Sequence, residues 1–192
     1  IWGVLGWMAA KRAWALVLIA LIGGALALWL VIAPFVTPLL IAAMSGAGLP
    51  YSWAARLEIW RYVSARILES PWIGHGLDAS RVDAGEIVVQ GVSSGAIPLH
   101  PHSASLQIWF ETGAVGALLG AAGLLAGAWA LARTLGGRQA RASAAAACGA
   151  LAAIGVIANL SFGVWQEWWN AAMLIAAAPV AALAACRPKG RG

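Results

Sequence analysis

The chain has 192 residues, of which 62% are apolar and only 10% charged, and its mean hydropathy is +0.83. Soluble domains have about 45–50% apolar and about 25% charged residues, so this composition excludes an ordinary soluble domain. The net charge of +5 does not indicate nucleic-acid binding, because no basic run is interleaved with aromatic residues. We therefore expect an all-α, polytopic integral membrane protein.

Four segments are candidates for crossing a bilayer, which takes about 20 mostly apolar residues. They are Ala13–Ala33, Ala104–Ala132, Ala142–Phe162 and the shorter Trp168–Cys186, which follows a periplasmic turn within residues 163–186. Residues 1–12 are interpreted as the end of a preceding membrane helix and its cytoplasmic connection. The chain is thus expected to be the C-terminal part of a longer protein.

Lysine and arginine cluster in the short connections between these segments. With four spans, all three clusters fall on one side, which the distribution of basic residues identifies as the cytoplasm. Residues 133–141 then form a cytoplasmic loop, residues 187–192 a cytoplasmic tail, and residues 34–103 one large periplasmic loop. The clusters are Lys11 and Arg12; Arg133, Arg138 and Arg141; and Arg187, Lys189 and Arg191.

Within the large loop, Ser52–Ser70 has the period of an amphipathic helix. Arg56 breaks the pattern, since it projects from the middle of the apolar arc, while Arg61 lies at the edge of that arc. An arginine in this position either extends its head to phospholipid or water, or binds a fixed anion bidentately. The spacing does not separate these two alternatives. The predicted apolar arc comprises Trp53, Leu57, Trp60, Val63, Ile67 and Leu68.

The helix is followed by PWIGHGLDASR at positions 71–81, where two glycines around His75 predict a tight turn. His75 by itself is more typical of a structural residue than of a catalytic one. Residues 82–98 contain several glycines and serines around a short apolar run. They predict a mobile surface loop with at most one short strand.

The sequence His100-Pro101-His102 then precedes an apolar helix, for which Ser103 is a natural N-cap. Gln107 and Glu111 share one face of that helix, and a carboxylate there is expected to point toward protein or a wet cavity. Three interpretations of the histidines remain open. They form a metal site with a third ligand such as His75 or Glu111, they are plain loop residues at the interface, or one imidazole is a general base acting on a hydroxyl group.

Three stretches together resemble the C-terminal part of the bacterial O-antigen ligase family, which also includes O-antigen polymerases and some protein O-oligosaccharyltransferases. They are RLEIWRYVSARILESPWIGHGLDASR, HPHSASLQIWFETGAVGA and SFGVWQEWWN. The shared pattern is Arg-x-x-Ile-Trp, Pro-x-x-Gly-x-Gly and His-x-His before a helix with Leu-Gln and Glu-x-Gly. One position departs from it, because Ser103 stands where the family usually has Asn.

The resemblance implies transfer of a glycan from undecaprenyl pyrophosphate to an acceptor, lipid A-core in the ligases, at the periplasmic face of the inner membrane. It implies no metal or other cofactor. Arg56 would bind the pyrophosphate with Arg61 or Arg81 as helpers, and His102 would be the general base with His100 in support. Supporting residues are Glu111, Gln107 and His75.

Two alternatives to a ligase stay open. In the first, the protein is an O-antigen polymerase or protein O-oligosaccharyltransferase of the same superfamily. In the second, it is a non-catalytic component of polysaccharide export or binding. The export alternative predicts polar residues along several spans, and apart from Ser143 at its start the third span has none before Asn159.

Overall fold

A computed structural model of the chain describes residues 12–44, 46–134, 141–161 and 163–185. The expectations for residues 1–11, for Arg138 and for residues 186–192 lie outside this part of the chain. The described part is mostly helical, as predicted. Its elements are α1 (Arg12–Ala43), α2 (Tyr51–Ile67), a 3-10 turn (Ala79–Arg81), β1 (Glu86–Val89), β2 (Val92–Gly95), α3 (Ala104–Thr134), α4 (Arg141–Leu160) and α5 (Glu167–Ala185).

The all-α prediction needs one correction, because residues 82–98 contain an antiparallel hairpin instead of a loop with at most one strand. Strands β1 and β2 pair from Glu86↔Gly95 to Val89↔Val92. Gln90 and Gly91 make the turn with φ of 48° and 85°. Positive φ at both central residues matches the right-handed twist of paired strands, and this is the turn that a two-residue hairpin requires.

Two helical segments, Leu16–Ala43 and Ala104–Arg133, are long and apolar enough to cross a membrane, and the apolar segment Ala144–Leu160 is shorter. The four spans therefore remain a prediction, as does the orientation of the chain.

Helix α1 continues to Ala43, beyond the predicted end at Ala33, although it contains Pro34 and Pro38. A proline has no N–H to donate to the carbonyl four residues earlier, so Pro34 leaves the carbonyl of Leu30 without its helical partner. The indole of Trp109 on α3 donates to that carbonyl over 2.7 Å. A side chain thus replaces the missing backbone donor and lets the helix continue.

The chain divides into two compact units. The first takes its described residues from Ile1–Ala27, Ala122–Val156 and Gln166–Gly192, and the second comprises Leu28–Ala121 and Ile157–Trp165. In the first unit, a Cβ built on Gly23 would lie 2.4 Å from the Cβ of Ala128, so the glycine allows α1 and α3 to approach closely. The buried core there consists of Leu18, Ile19, Ala128, Ala144, Ala147 and Cys148.

The second unit contains α2, whose buried face only partly matches the predicted arc. Trp53 and Leu68 were assigned to the apolar face but are 37% and 66% exposed, because they lie near the two ends of the helix. The residues that are buried are Leu57, Ile59, Val63, Ser64 and Ile67. Every candidate site residue also lies in this second unit.

Candidate active site

The His100-Pro101-His102 segment lies directly before α3, with His100 and Pro101 buried and His102 half-buried. Its conformation and its hydrogen bonds to backbone atoms hold it in place. His102 has φ of 55°, in the left-handed region that non-glycine residues seldom adopt. The indole of Trp60 on α2 donates to the carbonyl of Pro101 over 2.8 Å. Ser103 accepts from the N–H of Leu106 at 3.5 Å, so the predicted N-cap is confirmed, although the bond is long. The two histidines therefore have set positions relative to both α2 and α3.

The hydrogen bond of His102 determines which of its ring nitrogens is basic. Nδ1 lies 2.8 Å from the carbonyl oxygen of Ser161, just after the end of α4. A carbonyl oxygen only accepts hydrogen bonds, so Nδ1 carries the proton and the lone pair of the neutral ring is on Nε2. Nε2 has no hydrogen bond within the described part of the chain, and the side chain is half-buried. This geometry leaves a basic nitrogen available to an incoming hydroxyl group.

His100 has a different environment and a different role. Only 8% of it is exposed, and its Nδ1 accepts from the backbone N–H of His102 at 3.2 Å. Burial, together with the charges of His102 and Arg81, lowers the pKa of His100 to about 4. His100 is therefore neutral at physiological pH and supports the backbone of His102. The two rings are in edge contact, with their centroids 4.5 Å apart.

Arg56 lies on the buried face of α2, as the sequence predicts. Its Nε is buried and has no hydrogen-bond partner among the described residues, where the guanidinium also makes no ion pair. Its Cζ is 5.2 Å from the centre of the Trp53 ring. Trp60, which contacts the His-Pro-His segment, is four residues further along the same face, a spacing that puts side chains about 5–6 Å apart. The cation therefore lies on the same face of α2 as Trp60, whose indole contacts the carbonyl of Pro101.

The other two candidate arginines are paired with carboxylates and exposed. Arg61 binds both oxygens of Glu58 at 2.9 and 3.0 Å and lines a cavity of about 310 Å³ near β1, away from the Trp60 face. Arg81 binds Asp78 at 2.9 Å. Its charge is the smallest of the three causes that lower the pKa of His100. Among the described residues, neither arginine makes a hydrogen bond or an ion pair with the histidines.

Helix α3 is broken at Gly113, where φ is 62° and ψ is −160°. The predicted tight turn fills the break. The N–H groups of His75 and Gly76 donate to the carbonyls of Phe110 and Glu111 at 2.8 and 3.0 Å. The N–H groups of Ala114 and Val115 donate to the carbonyls of Pro71 and Trp72 at 2.8 and 3.2 Å. An unbroken helix would have paired residues 110 and 111 with 114 and 115, and the turn replaces those two bonds with four.

Glu111 is 1% exposed and is the centre of a hydrogen-bond network next to this break. Its carboxylate accepts from four groups on three separate parts of the chain. They are the N–H of Asp78 (3.1 Å), the hydroxyl of Ser80 (2.6 Å), the amide of Gln107 (2.9 Å) and the indole of Trp165. Because the carboxylate oxygens are saturated with donors, Glu111 holds the site together instead of facing a substrate.

Gln107 and His75 also hold segments together. The side-chain oxygen of Gln107 accepts from the N–H of Val164 at 2.8 Å, which fixes the segment after Ser161. Nε2 of His75 lies 2.9 Å from the carbonyl of Arg66, and its ring packs on Phe110. The structural interpretation of His75 agrees with these contacts. Among the described residues, no three or more His, Cys, Asp or Glu side chains converge as a metal-binding group.

Three contributors to the site were not found by sequence reasoning. Trp60 was assigned to an apolar arc and to the Arg-x-x-Ile-Trp pattern without a role in the site, and the carbonyl of Ser161 and the indole of Trp165 were given no role. The only sequence signal for the last two is that both lie in the SFGVWQEWWN stretch, far along the chain from the histidines.

The sequence is similar to that of one bacterial protein family. The sequence profile of the family described as O-antigen ligase matches residues 1–121. A protein of Rickettsia conorii described as a candidate polysaccharide ligase is 32% identical over 158 residues, which is 80% of this chain and 37% of that protein. A similarly described protein of Rickettsia prowazekii is 32% identical over 80% of the chain and 38% of its own length.

A third such protein, from Rickettsia typhi, is 30% identical over 86% of the chain and 40% of its own length. The chain thus spans about two fifths of the length of these relatives. No solved structure matches it significantly.

Proposed function

This chain belongs to the O-antigen ligase family, and we propose that the protein transfers an O-antigen glycan from undecaprenyl pyrophosphate to lipid A-core, without a metal. The reaction takes place at the periplasmic face of the bacterial inner membrane. The observation that carries the proposal is the basic Nε2 of His102, created by the hydrogen bond of Nδ1 to Ser161.

His102 activates the acceptor. A sugar hydroxyl is a weak nucleophile, and a base within hydrogen-bond reach removes its proton as the oxygen attacks. In the proposed step, Nε2 takes that proton while the hydroxyl oxygen forms a bond to the anomeric carbon of the donor glycan. His100 remains neutral and holds the backbone of His102.

Arg56 acts on the donor side. The bond between the anomeric carbon and the pyrophosphate oxygen breaks, and undecaprenyl pyrophosphate leaves with its negative charge. A guanidinium with no carboxylate partner among the described residues is suited to stabilise that charge, since its donors match phosphate oxygens bidentately. Arg81 contributes to the lowered pKa of His100, whereas Arg61, paired with Glu58, has the weakest support as a helper.

The test is complementation of a strain lacking the gene, read on a lipopolysaccharide gel. The His102→Gln and Arg56→Ala variants are expected to accumulate lipid-linked polymer and bare lipid A-core, while Ser93→Ala, on the exposed hairpin, serves as the control. Each variant is also checked for membrane level and elution profile.

Two outcomes would contradict the proposal. Full attachment with a well-folded His102→Gln variant would remove the role of this base. Single-repeat attachment in the deletion strain would instead identify a polymerase of the same superfamily.

A further inference from the structure

Four large apolar side chains are exposed around the turn that fills the helix break. We call Leu68, Trp72, Ile73 and Leu77 the apolar tip, and their exposed fractions are 66%, 72%, 73% and 71%. In sequence, charged residues flank the tip, with Arg66 before Leu68 and Asp78 and Arg81 after Leu77, and Glu69 lies between Leu68 and Trp72. An exposed apolar cluster with a charged rim is typical of an interaction surface.

The backbone hydrogen bonds fix the height of the tip along α3. The carbonyls of Pro71 and Trp72 accept from Ala114 and Val115, and the N–H groups of His75 and Gly76 donate to Phe110 and Glu111. The tip therefore lies beside the break itself. A Cβ on Gly113 would be 2.4 Å from the carbonyl carbon of Trp72, which shows how closely the turn and the helix approach.

The helix surface next to the tip is also apolar and exposed. Val115, Leu118 and Leu119 are 52%, 57% and 69% exposed, and they lie on a helix long and apolar enough to cross a membrane. The tip therefore continues the surface that such a helix presents to lipid.

The backbone polar groups at the break have hydrogen-bond partners, as a position inside a membrane requires. The carbonyls of Phe110 and Glu111 and the N–H groups of Ala114 and Val115 are all paired with the turn. In a bilayer, a broken helix is tolerated only where the released backbone groups find partners.

We propose that the apolar tip is inserted in the outer leaflet of the membrane, at the boundary between headgroups and acyl chains, and sets the height of the active site. Tryptophan favours this boundary, and arginines at its edge can reach phospholipid phosphates. Residues 104–109 and the histidines then lie on the periplasmic side of the tip. The proposal rests on the proposed orientation, with the histidines outside, and it is independent of which glycan is transferred.

Spin labels on the intact protein in lipid nanodiscs test this placement. Cys148, Cys186 and any cysteines elsewhere in the protein are replaced by alanine, and one cysteine is introduced as Ile73→Cys or, in a second variant, Leu77→Cys. The matched control is Val92→Cys, another apolar residue, 54% exposed, at the turn of the hairpin. Collision rates are measured with oxygen, which concentrates in lipid, and with a water-soluble nickel chelate.

The expected result is that labels at 73 and 77 collide several-fold more with oxygen relative to nickel than the label at 92 does. Nickel access at 73 and 77 equal to that at 92 would show that the tip is in water. Labels that are reached by neither reagent would show that protein covers the tip. Either result would overturn the proposal.

Discussion

His100 and His102 are only two residues apart, but their Nδ1 atoms have different hydrogen-bond partners. This difference decides which ring nitrogen of each histidine can act as a base. Nδ1 of His102 donates to a carbonyl, which puts the basic lone pair on Nε2. Nδ1 of His100 accepts from an N–H, so its neutral ring carries the proton on Nε2. Of the two nitrogens that can act as a base, only that of His102 is not already bonded to the backbone.

The burial of His100 predicts a loss of stability in acid. Its pKa in the folded protein, about 4, is below the ordinary value of 6.5, so between these values the unfolded chain binds a proton that the folded protein does not. The stability associated with the neutral His100 is therefore fully present above pH 6.5. As the pH falls from 6.5 to 4, the free energy of unfolding decreases by about 3 kcal/mol, at about 1.4 kcal/mol per pKa unit.

The measurement is the unfolding of the wild type and of His100→Gln in detergent, at several pH values between 7 and 4. We expect a weaker pH dependence in the variant, because glutamine does not titrate. Parallel curves for the two proteins would show that another group causes the acid loss.

At the scale of elements, the break in α3 is the feature that shapes the site. The break lets the turn at 71–76 pair with both halves of the helix, on either side of Gly113. Gly74 makes the same approach from the turn, since a Cβ there would be 2.4 Å from the carbonyl carbon of Glu111. The two glycines thus allow direct backbone contact between the turn and the helix.

Replacement of Gly113 by alanine tests the importance of this contact. A Cβ at φ of 62° and ψ of −160°, 2.4 Å from the backbone of Trp72, is expected to cost about 1–3 kcal/mol in strain alone and to push the turn away. The variant should have a lower Tm and faster proteolysis between residues 71 and 76.

The matched control is Gly123→Ala on the same helix, where a Cβ would meet nothing within 4 Å. Alanine there is expected to keep or raise the Tm, because glycine is the weaker helix former by about 1 kcal/mol. Equal Tm values for the two variants would refute the role of the break.

At the scale of the whole molecule, side chains join segments that are far apart in sequence. Three of the four groups that donate to Glu111 are 31 to 54 residues away, and Ser161 holds His102 across 59 residues. Asn159 accepts from the hydroxyl of Ser105 at 2.7 Å and from the indole of Trp29 at 3.1 Å. Asn159, the polar residue that the sequence analysis singled out near the end of α4, therefore ties three helices together.

Glu111→Gln tests this network. The amide would replace one acceptor oxygen by a donor and would face groups that are themselves donors. Each donor left unpaired in a buried site costs about 1–3 kcal/mol, so the yield of folded protein should fall sharply.

The control is Glu69→Gln, an exposed carboxylate paired with Arg66, where about 0–1 kcal/mol is at stake. The readouts are the elution profile in detergent and the Tm. A folded Glu111→Gln variant with an unchanged Tm would show that the network does not stabilise the site.

Much of the helical structure was predictable because it depends on neighbours in sequence. Uninterrupted apolar runs predicted α1 and α3, and the 3.6-residue period predicted α2 within a few residues of its ends. The hairpin was missed because Gln90-Gly91 is a weaker turn signal than Asn-Gly, although it adopts the same positive φ values.

The sequence by itself determined that the amino-acid composition is typical of a membrane protein and where the main helices lie. It also placed Arg56 in an apolar helix face and His102 directly before a capped helix. These features follow from chemistry summed over residues that are close along the chain. Only the tertiary structure decided that α3 is broken at Gly113, that Glu111 is saturated with donors and that Nε2 of His102 is basic. Each of these features depends on partners tens of residues away, and local periodicity carries no information about such partners.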